Sequence, residues 1–168
     1  MPTSRPHPGP LFALLRTIFF LAIFQAGVLV YLPWALGVFK TRADYGWHWA
    51  GVIVLASGTY ILLRCSFAFA WRGQGTPMPF DAPRELVAQG MYRYVRNPMY
   101  WGAFFILIGQ GILFGRGWGA GWYVALFAGI VHLFVIGYEE PTLRRRFDES
   151  YEEYRRNVPR WIPRSTPW

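Results

Sequence analysis

The sequence predicts an all-α integral membrane protein with about four transmembrane helices, a long cytoplasmic loop and a C-terminal amphipathic helix. Three observations carry this expectation. Of 168 residues, 54% are hydrophobic, 20% aromatic and only 15% charged, and the mean hydropathy of +0.19 is too oily for a soluble domain of this size. The apolar residues fall in long runs and not in alternating core patterns, so the bilayer replaces a globular core. The polar residues gather in a few blocks between and after those runs. A single membrane domain over residues 1–168 is expected, with no separate soluble unit.

The first apolar run covers residues 17–39 and contains Pro33, which a membrane helix tolerates as a kink where neighbouring groups re-satisfy the backbone. The segment MPTSRPHPGP leads into it without an A-x-A type cleavage site, so a retained span is expected and not a removed signal peptide. After a short polar link, residues 47–71 form a second span with Arg64 and Cys65 in its last two turns. The next stretch, RGQGTPMPFDAPRELVAQGMYRYVRNP, is too polar to cross and too long for a mere connector, and loops of this kind usually carry function. Residues 99–114 are apolar but reach only about 24 Å as helix, slightly short of a hydrocarbon core. The tight turn Gly115-Arg116-Gly117 then leads into residues 118–138, which form a helical hairpin with the third span. From Glu139 onward charges and aromatics interleave at helical spacing until Val158-Pro159, predicting a surface helix over about 142–157.

A net charge of +8 raises the possibility of nucleic acid, yet basic residues beside apolar spans are the usual positive-inside signal, and no nucleic-acid partner is expected. Arg5 and Arg16 precede the first span, Arg72, Arg84, Arg93 and Arg96 lie in the long loop, and Arg144, Arg145, Arg146, Arg155, Arg156, Arg160 and Arg164 lie in the tail. Only Lys40, Arg42 and Arg116 fall in the opposite links. Both termini and the long loop are therefore expected in the cytoplasm, with membrane lipids as partners. Trp47, Trp49, Trp71, Trp101, Trp118 and Trp122 lie near span ends, as in interfacial aromatic belts. The lone Cys65 excludes an intramolecular disulfide and a cysteine-based zinc site, and no metal is expected.

Two polar motifs meet at the same membrane face: GMYRYVRNPMYWG, residues 90–102, and YEEPTL, residues 138–143. Glu139 and Glu140 sit at a helix C-terminal end, where the macrodipole disfavours negative charge and a compensating cation is needed. Two readings stand: a salt bridge to Arg144 or Arg145, or a glutamate facing the bundle to hold a cationic or hydroxyl-rich ligand.

The pattern ELVxxGMYRYVRNPMYWG, an apolar hairpin, and then EExxLxxxFxxxYxxYxxxVPRWIP resembles the membrane methyltransferases grouped with isoprenylcysteine carboxyl methyltransferase and phosphatidylethanolamine N-methyltransferase, over about residues 73–164. The first two spans match nothing beyond being apolar. The resemblance implies methyl transfer from S-adenosylmethionine, with S-adenosylhomocysteine as product. The cofactor would lie, without a Rossmann sheet, in a cavity between the last two spans, the long loop and the C-terminal helix, entered from the cytoplasm. Its contacts would fall in two motif blocks, residues 84–102 and 138–164: on Arg84, Glu85, Leu86 and Val87, on Tyr92, on Asn97, Pro98, Met99 and Tyr100, and on Glu139. Glu140 completes the acidic pair of the phospholipid enzymes.

Asn97-Pro98 stands where the isoprenylcysteine enzymes have His-Pro, which leaves no titrating base there. Val135 stands where those enzymes place a substrate-carboxylate arginine. His132, seven residues or about two turns before Glu139, shares its helical face and is either a satisfied structural histidine or a substrate-facing group. Arg96, Arg144 and Arg145 can hold the cofactor's carboxylate or a lipid phosphate. His132, Arg96 and Arg144 are thus the candidate catalytic residues. The acceptor is expected to be lipophilic: a lipid amine, an isoprenylcysteine-type carboxylate or a small amphiphile. The competing reading is a non-enzymatic transporter subunit or scaffold, in which Gly109-Gln110-Gly111 serves close helix packing.

Overall fold

The computed structural model describes residues 15, 18–19, 23, 25–38, 48–71, 86–114 and 117–168, and among these every regular element is helical. A π-helical turn, Gly27–Tyr31, runs into the short helix α1, Leu32–Ala35. Helix α2 covers Ala50–Trp71, α3 Pro98–Phe114 and α4 Gly117–Phe134. A second π-helical segment, Val135–Glu139, joins α4 directly to α5, Glu140–Asn157. Two helical runs are long and apolar enough to cross a membrane, Ala50–Ala68 and one within Ala120–Asn157, while Pro98–Phe114 is shorter. Arg84, Glu85, Trp47, the link over residues 40–46 and the turn at residues 115–116 lie outside the described residues, as does much of the predicted first span.

The α2–α3 pair is the most extensive helix contact and is built on glycine. Gly51 and Gly58 on α2 face Gly109 and Gly102 on α3, each pair seven residues apart, so the helices run antiparallel with small residues at both crossings. A Cβ on Gly109 would stand 2.6 Å from the Leu55 backbone nitrogen, and one on Gly58 would stand 2.6 Å from the Gly102 carbonyl oxygen. In a solvent without a hydrophobic drive between helices, such backbone approach is what supplies packing energy.

Pro33 disturbs the backbone as predicted, and the structure names the groups that repair it. Proline lacks the N–H that would bond the Leu29 carbonyl, and the π turn draws the Leu32 N–H to Gly27, away from Val28. The Gln110 amide donates to the Leu29 carbonyl at 2.9 Å, and the Tyr123 hydroxyl donates to Val28 at 2.8 Å. Gln110 is thus a buried bracket for α1 between two glycines of α3. Around it Leu29, Leu62, Ile106, Leu107 and Tyr123 form the main apolar core.

The C-terminal helix differs from expectation in two ways. It begins at Glu140 with no break after α4, because the π segment carries the chain through Gly137 as continuous helix. It is then interrupted at Asp148, whose φ of 44° and ψ of −119° lie outside the left-handed helical region, in backbone space that favours glycine. Beyond Asn157 the chain is irregular and lies along the turn Gly90–Arg93 and the start of α3: Arg96 N–H donates to Pro159, and Arg164 N–H donates to Tyr94.

Gly109→Ala should lower thermal stability in detergent by about 1–3 kcal/mol through overpacking against Leu55. Gly129→Ala, with open space around its Cβ, should leave it unchanged.

Candidate functional site

Adjacent residues on a helix point about 100° apart, so Glu139 and Glu140 diverge. Glu140 turns towards the loop and the tail. Arg160 grips it with two hydrogen bonds, Nε to Oε1 at 2.6 Å and Nη2 to Oε2 at 2.9 Å. Arg96 adds Nη1 to Oε1 at 3.0 Å, and the same nitrogen donates to the Tyr151 hydroxyl at 3.2 Å. The Arg96 and Glu140 side chains are only 9% and 8% exposed. Burial alone would lift the Glu140 carboxyl, but the Arg160 hydrogen bond and the charges of Arg96, Arg160 and Arg144 outweigh it and hold the group below its ordinary value. Arg160 in turn is raised, chiefly by its hydrogen bonds to Glu140.

Glu139 turns towards α3. The Tyr100 hydroxyl donates to its Oε2 at 2.9 Å, and among the described residues this is the hydrogen bond it has. Desolvation and the neighbouring Glu140 charge raise its pKa despite that bond, making it a weaker acid. The two carboxyls thus occupy opposite electrostatic states, one clamped as an anion and the other pressed towards neutrality.

The residues of the first motif are brought to the same place. Asn97 is buried and donates Nδ2 to the Arg160 carbonyl at 3.2 Å, so it positions the arginine that holds Glu140. Pro98, Met99 and Tyr100 form the first turn of α3. Tyr92 is buried beside Cys65, and its carbonyl accepts from the Tyr154 hydroxyl at 2.7 Å. Val87 packs with Tyr92 and Cys65, whereas Leu86 packs with Tyr151, Tyr154 and Val158. Tyr151 and Tyr154 therefore turn inward against the loop.

His132 and Arg144 are placed less directly. The widened turn at Val135–Glu139 means that seven residues no longer make two α turns, so His132 does not simply stack above Glu139. Its Nδ1 accepts from the Trp161 indole N–H at 3.1 Å, which leaves Nε2 as the protonated nitrogen of the neutral ring. Trp161 stands between His132 and Tyr100, its ring 6.1 Å from one and 6.2 Å from the other. Its carbonyl accepts from Trp101 at 2.8 Å, so Trp101 is an internal bracket and not only a belt residue. Arg144 is largely exposed and pairs with Glu152 at 3.0 Å. Val135 is fully buried. Sequence reasoning missed Arg160 as a site residue, although VPRWIP belonged to the quoted pattern.

This juxtaposition of an N-P-M-Y turn with a Glu-Glu pair falls within a family match. Residues 47–150 match the phospholipid methyltransferase family, abbreviated PEMT. The chain belongs to the phospholipid methyltransferase family. A protein-S-isoprenylcysteine O-methyltransferase of Schizosaccharomyces pombe is 39% identical to this family member over 83 residues, which is 46% of the chain and 33% of that relative. The chain thus spans about a third of the length of the curated relative it matches. No solved structure matches.

Because the depressed Glu140 carboxyl stabilises the fold only while ionised, its contribution is present above the ordinary value of 4.5 and is lost as pH falls below that value. Thermal unfolding followed on acidification should show this loss in the native protein, and Glu140→Gln should remove that part of the acid response while lowering stability at neutral pH.

Proposed function

We propose that the protein is a multi-pass membrane methyltransferase that uses S-adenosylmethionine and delivers the methyl group to a lipophilic acceptor, with four spans and with both termini and the site on the cytoplasmic face. The observation that carries this reading is the split acid pair. Glu140 is taken up by two guanidinium groups through three hydrogen bonds, two on Oε1 and one on Oε2. Glu139 keeps a half-buried carboxyl with one hydrogen bond among the described residues, an environment that a neighbouring ammonium or hydroxyl group would relieve.

The residues fit this cofactor in a second respect. Arg96 Nε is buried and has no hydrogen-bond partner among the described residues, so an anionic group beside it would satisfy a donor that is otherwise costly to bury. Glu139 and Tyr100, with Tyr92, Asn97, Pro98, Met99 and the loop residues Arg84, Glu85, Leu86 and Val87, would hold the cofactor. Arg96 would face its carboxylate. When bound, S-adenosylmethionine supplies a methyl group on a sulfonium, which needs little further activation. The protein's residues have then to orient the acceptor and keep water out.

Glu140 acts as a positioning residue that fixes Arg96 and the tail. His132, held by Trp161 with Nε2 protonated, presents a hydrogen-bond donor, and its role is to orient the aromatic wall or an acceptor and not to take a proton. Arg144 contributes charge at the surface of the same face.

Calorimetric titration with S-adenosylhomocysteine should show saturable binding. Glu139→Gln should weaken it about tenfold or more, the scale of one hydrogen bond to a charged group, while the thermal midpoint holds. No binding at millimolar ligand by folded native protein would overturn the reading. Incubation with methyl-labelled S-adenosylmethionine and total lipid extract would then name the acceptor.

A further inference from the structure

Few arginines near the turn Gly90–Arg93 remain for an acidic ligand once the internal pairs are assigned. Arg160 is paired with Glu140, Arg96 is paired with Glu140 and its remaining Nε is assigned above to the cofactor, and Arg144 and Arg155 are paired with Glu152. On the far side of the turn a cavity of about 550 Å³ opens between the second half of α2 and residues 89–94, a size within the range of ligand pockets. Its wall includes Tyr60, Arg64, Phe67, Met91, Tyr92 and Arg93, with two guanidinium groups and no carboxylate among the described lining residues. Arg64 has no ion-pair or hydrogen-bond partner among the described residues. Arg93 donates Nε to the Trp168 carbonyl, and its Nη groups make no further bond among those residues.

The outer edge of the cavity has the opposite character. Tyr60, Arg64 and Phe67 follow the i, i+4, i+7 spacing of one helix face, and Tyr60 and Phe67 are 59% and 51% exposed. An aromatic, a cation and an aromatic therefore form a stripe up the outside of an apolar helix, above a positively charged hollow. An acidic head beside two guanidiniums satisfies the charge, and a hydrocarbon chain along the stripe covers the aromatics.

We propose that this groove binds the acidic headgroup, phosphate or carboxylate, of a bilayer amphiphile, with Arg64 and Arg93 as its anion ligands and Tyr60 and Phe67 along its chain. The inference rests on the membrane reading above and not on methyl transfer. Tyr92 forms part of the cavity wall and is close enough to Glu139 to feel its charge, so the bound head would lie beside the acid pair.

The test is calorimetric titration of the full chain, purified in non-ionic detergent, with a short-chain phosphatidic acid, inorganic phosphate and the matching neutral diacylglycerol. The acidic lipid should saturate one site, and the other two should bind at least about tenfold more weakly. Arg64→Gln should weaken the acidic lipid about tenfold or more, the scale of one charge-assisted hydrogen bond, and Arg64→Gln with Arg93→Gln further. Arg64→Lys should retain most of the affinity and so separates charge from folding. Equal binding by Arg64→Gln would overturn the proposal. Phosphate binding as tightly as the lipid would make the site one for free anions, and diacylglycerol binding as tightly would make it merely apolar. S-adenosylhomocysteine titration of the same variants should match the native protein. Its failure in the native protein would contradict the methyltransferase reading alone and leave the lipid result standing.

Discussion

A buried carboxylate shared by two guanidinium groups joins parts of the chain that are far apart in sequence. Glu140 begins α5, Arg96 ends the loop before α3, and Arg160 lies in the irregular tail. Removing one partner from such a buried cluster leaves an uncompensated charge, a loss of about 3–5 kcal/mol in comparable cases. The tail depends on it further, because Asn97 and Trp101 bond the carbonyls of Arg160 and Trp161 and so dock the chain that delivers the second arginine. The clasp thus sets where Trp161 stands, and with it the wall between Tyr100 and His132.

The chemistry follows from the same constraint. Two neighbouring carboxylates in one site would repel each other, and a helix separates them by pointing one towards each side. Once Glu140 is neutralised by arginines, Glu139 can stay half-buried with, among the described residues, a single tyrosine hydroxyl as hydrogen-bond partner. That leaves one under-satisfied acid on the α3 side and one under-satisfied arginine nitrogen on the side of the Glu140 clasp. The glycine crossing of α2 and α3 holds the other wall, so Cys65 meets Tyr92 at its edge.

Much of the site was legible in the sequence because it rests on residue types at fixed spacing. The block from Asn97 to Tyr100, Tyr92 and Glu139 could be read as one site from the two motifs, and helices α2, α3 and α4 lie within or close to the apolar runs that predict them. Arg160 was not legible as a site residue, since the tail after Asn157 has no periodicity and reaches the loop through backbone hydrogen bonds that any residue can make. The partner of Glu140 was sought one helical turn away at Arg144 or Arg145, where local geometry favours it, but tertiary docking supplies better-shaped arginines. The π segment at Val135–Glu139 has no sequence signature comparable to proline or glycine, so the angular relation of His132 to Glu139 could not be fixed from spacing. Gln110 read as part of a packing motif, because the Leu29 carbonyl it serves, orphaned by Pro33, lies 81 residues earlier.

The central claim is that the Glu140 clasp assembles the proposed cofactor site. A double-mutant cycle between Arg160→Gln and Glu140→Gln, read by S-adenosylhomocysteine affinity in folded protein, tests it most directly. Each single change should weaken binding, and the double variant should bind no worse than either single one. Fully additive losses, or native affinity in both single variants, would contradict the claim.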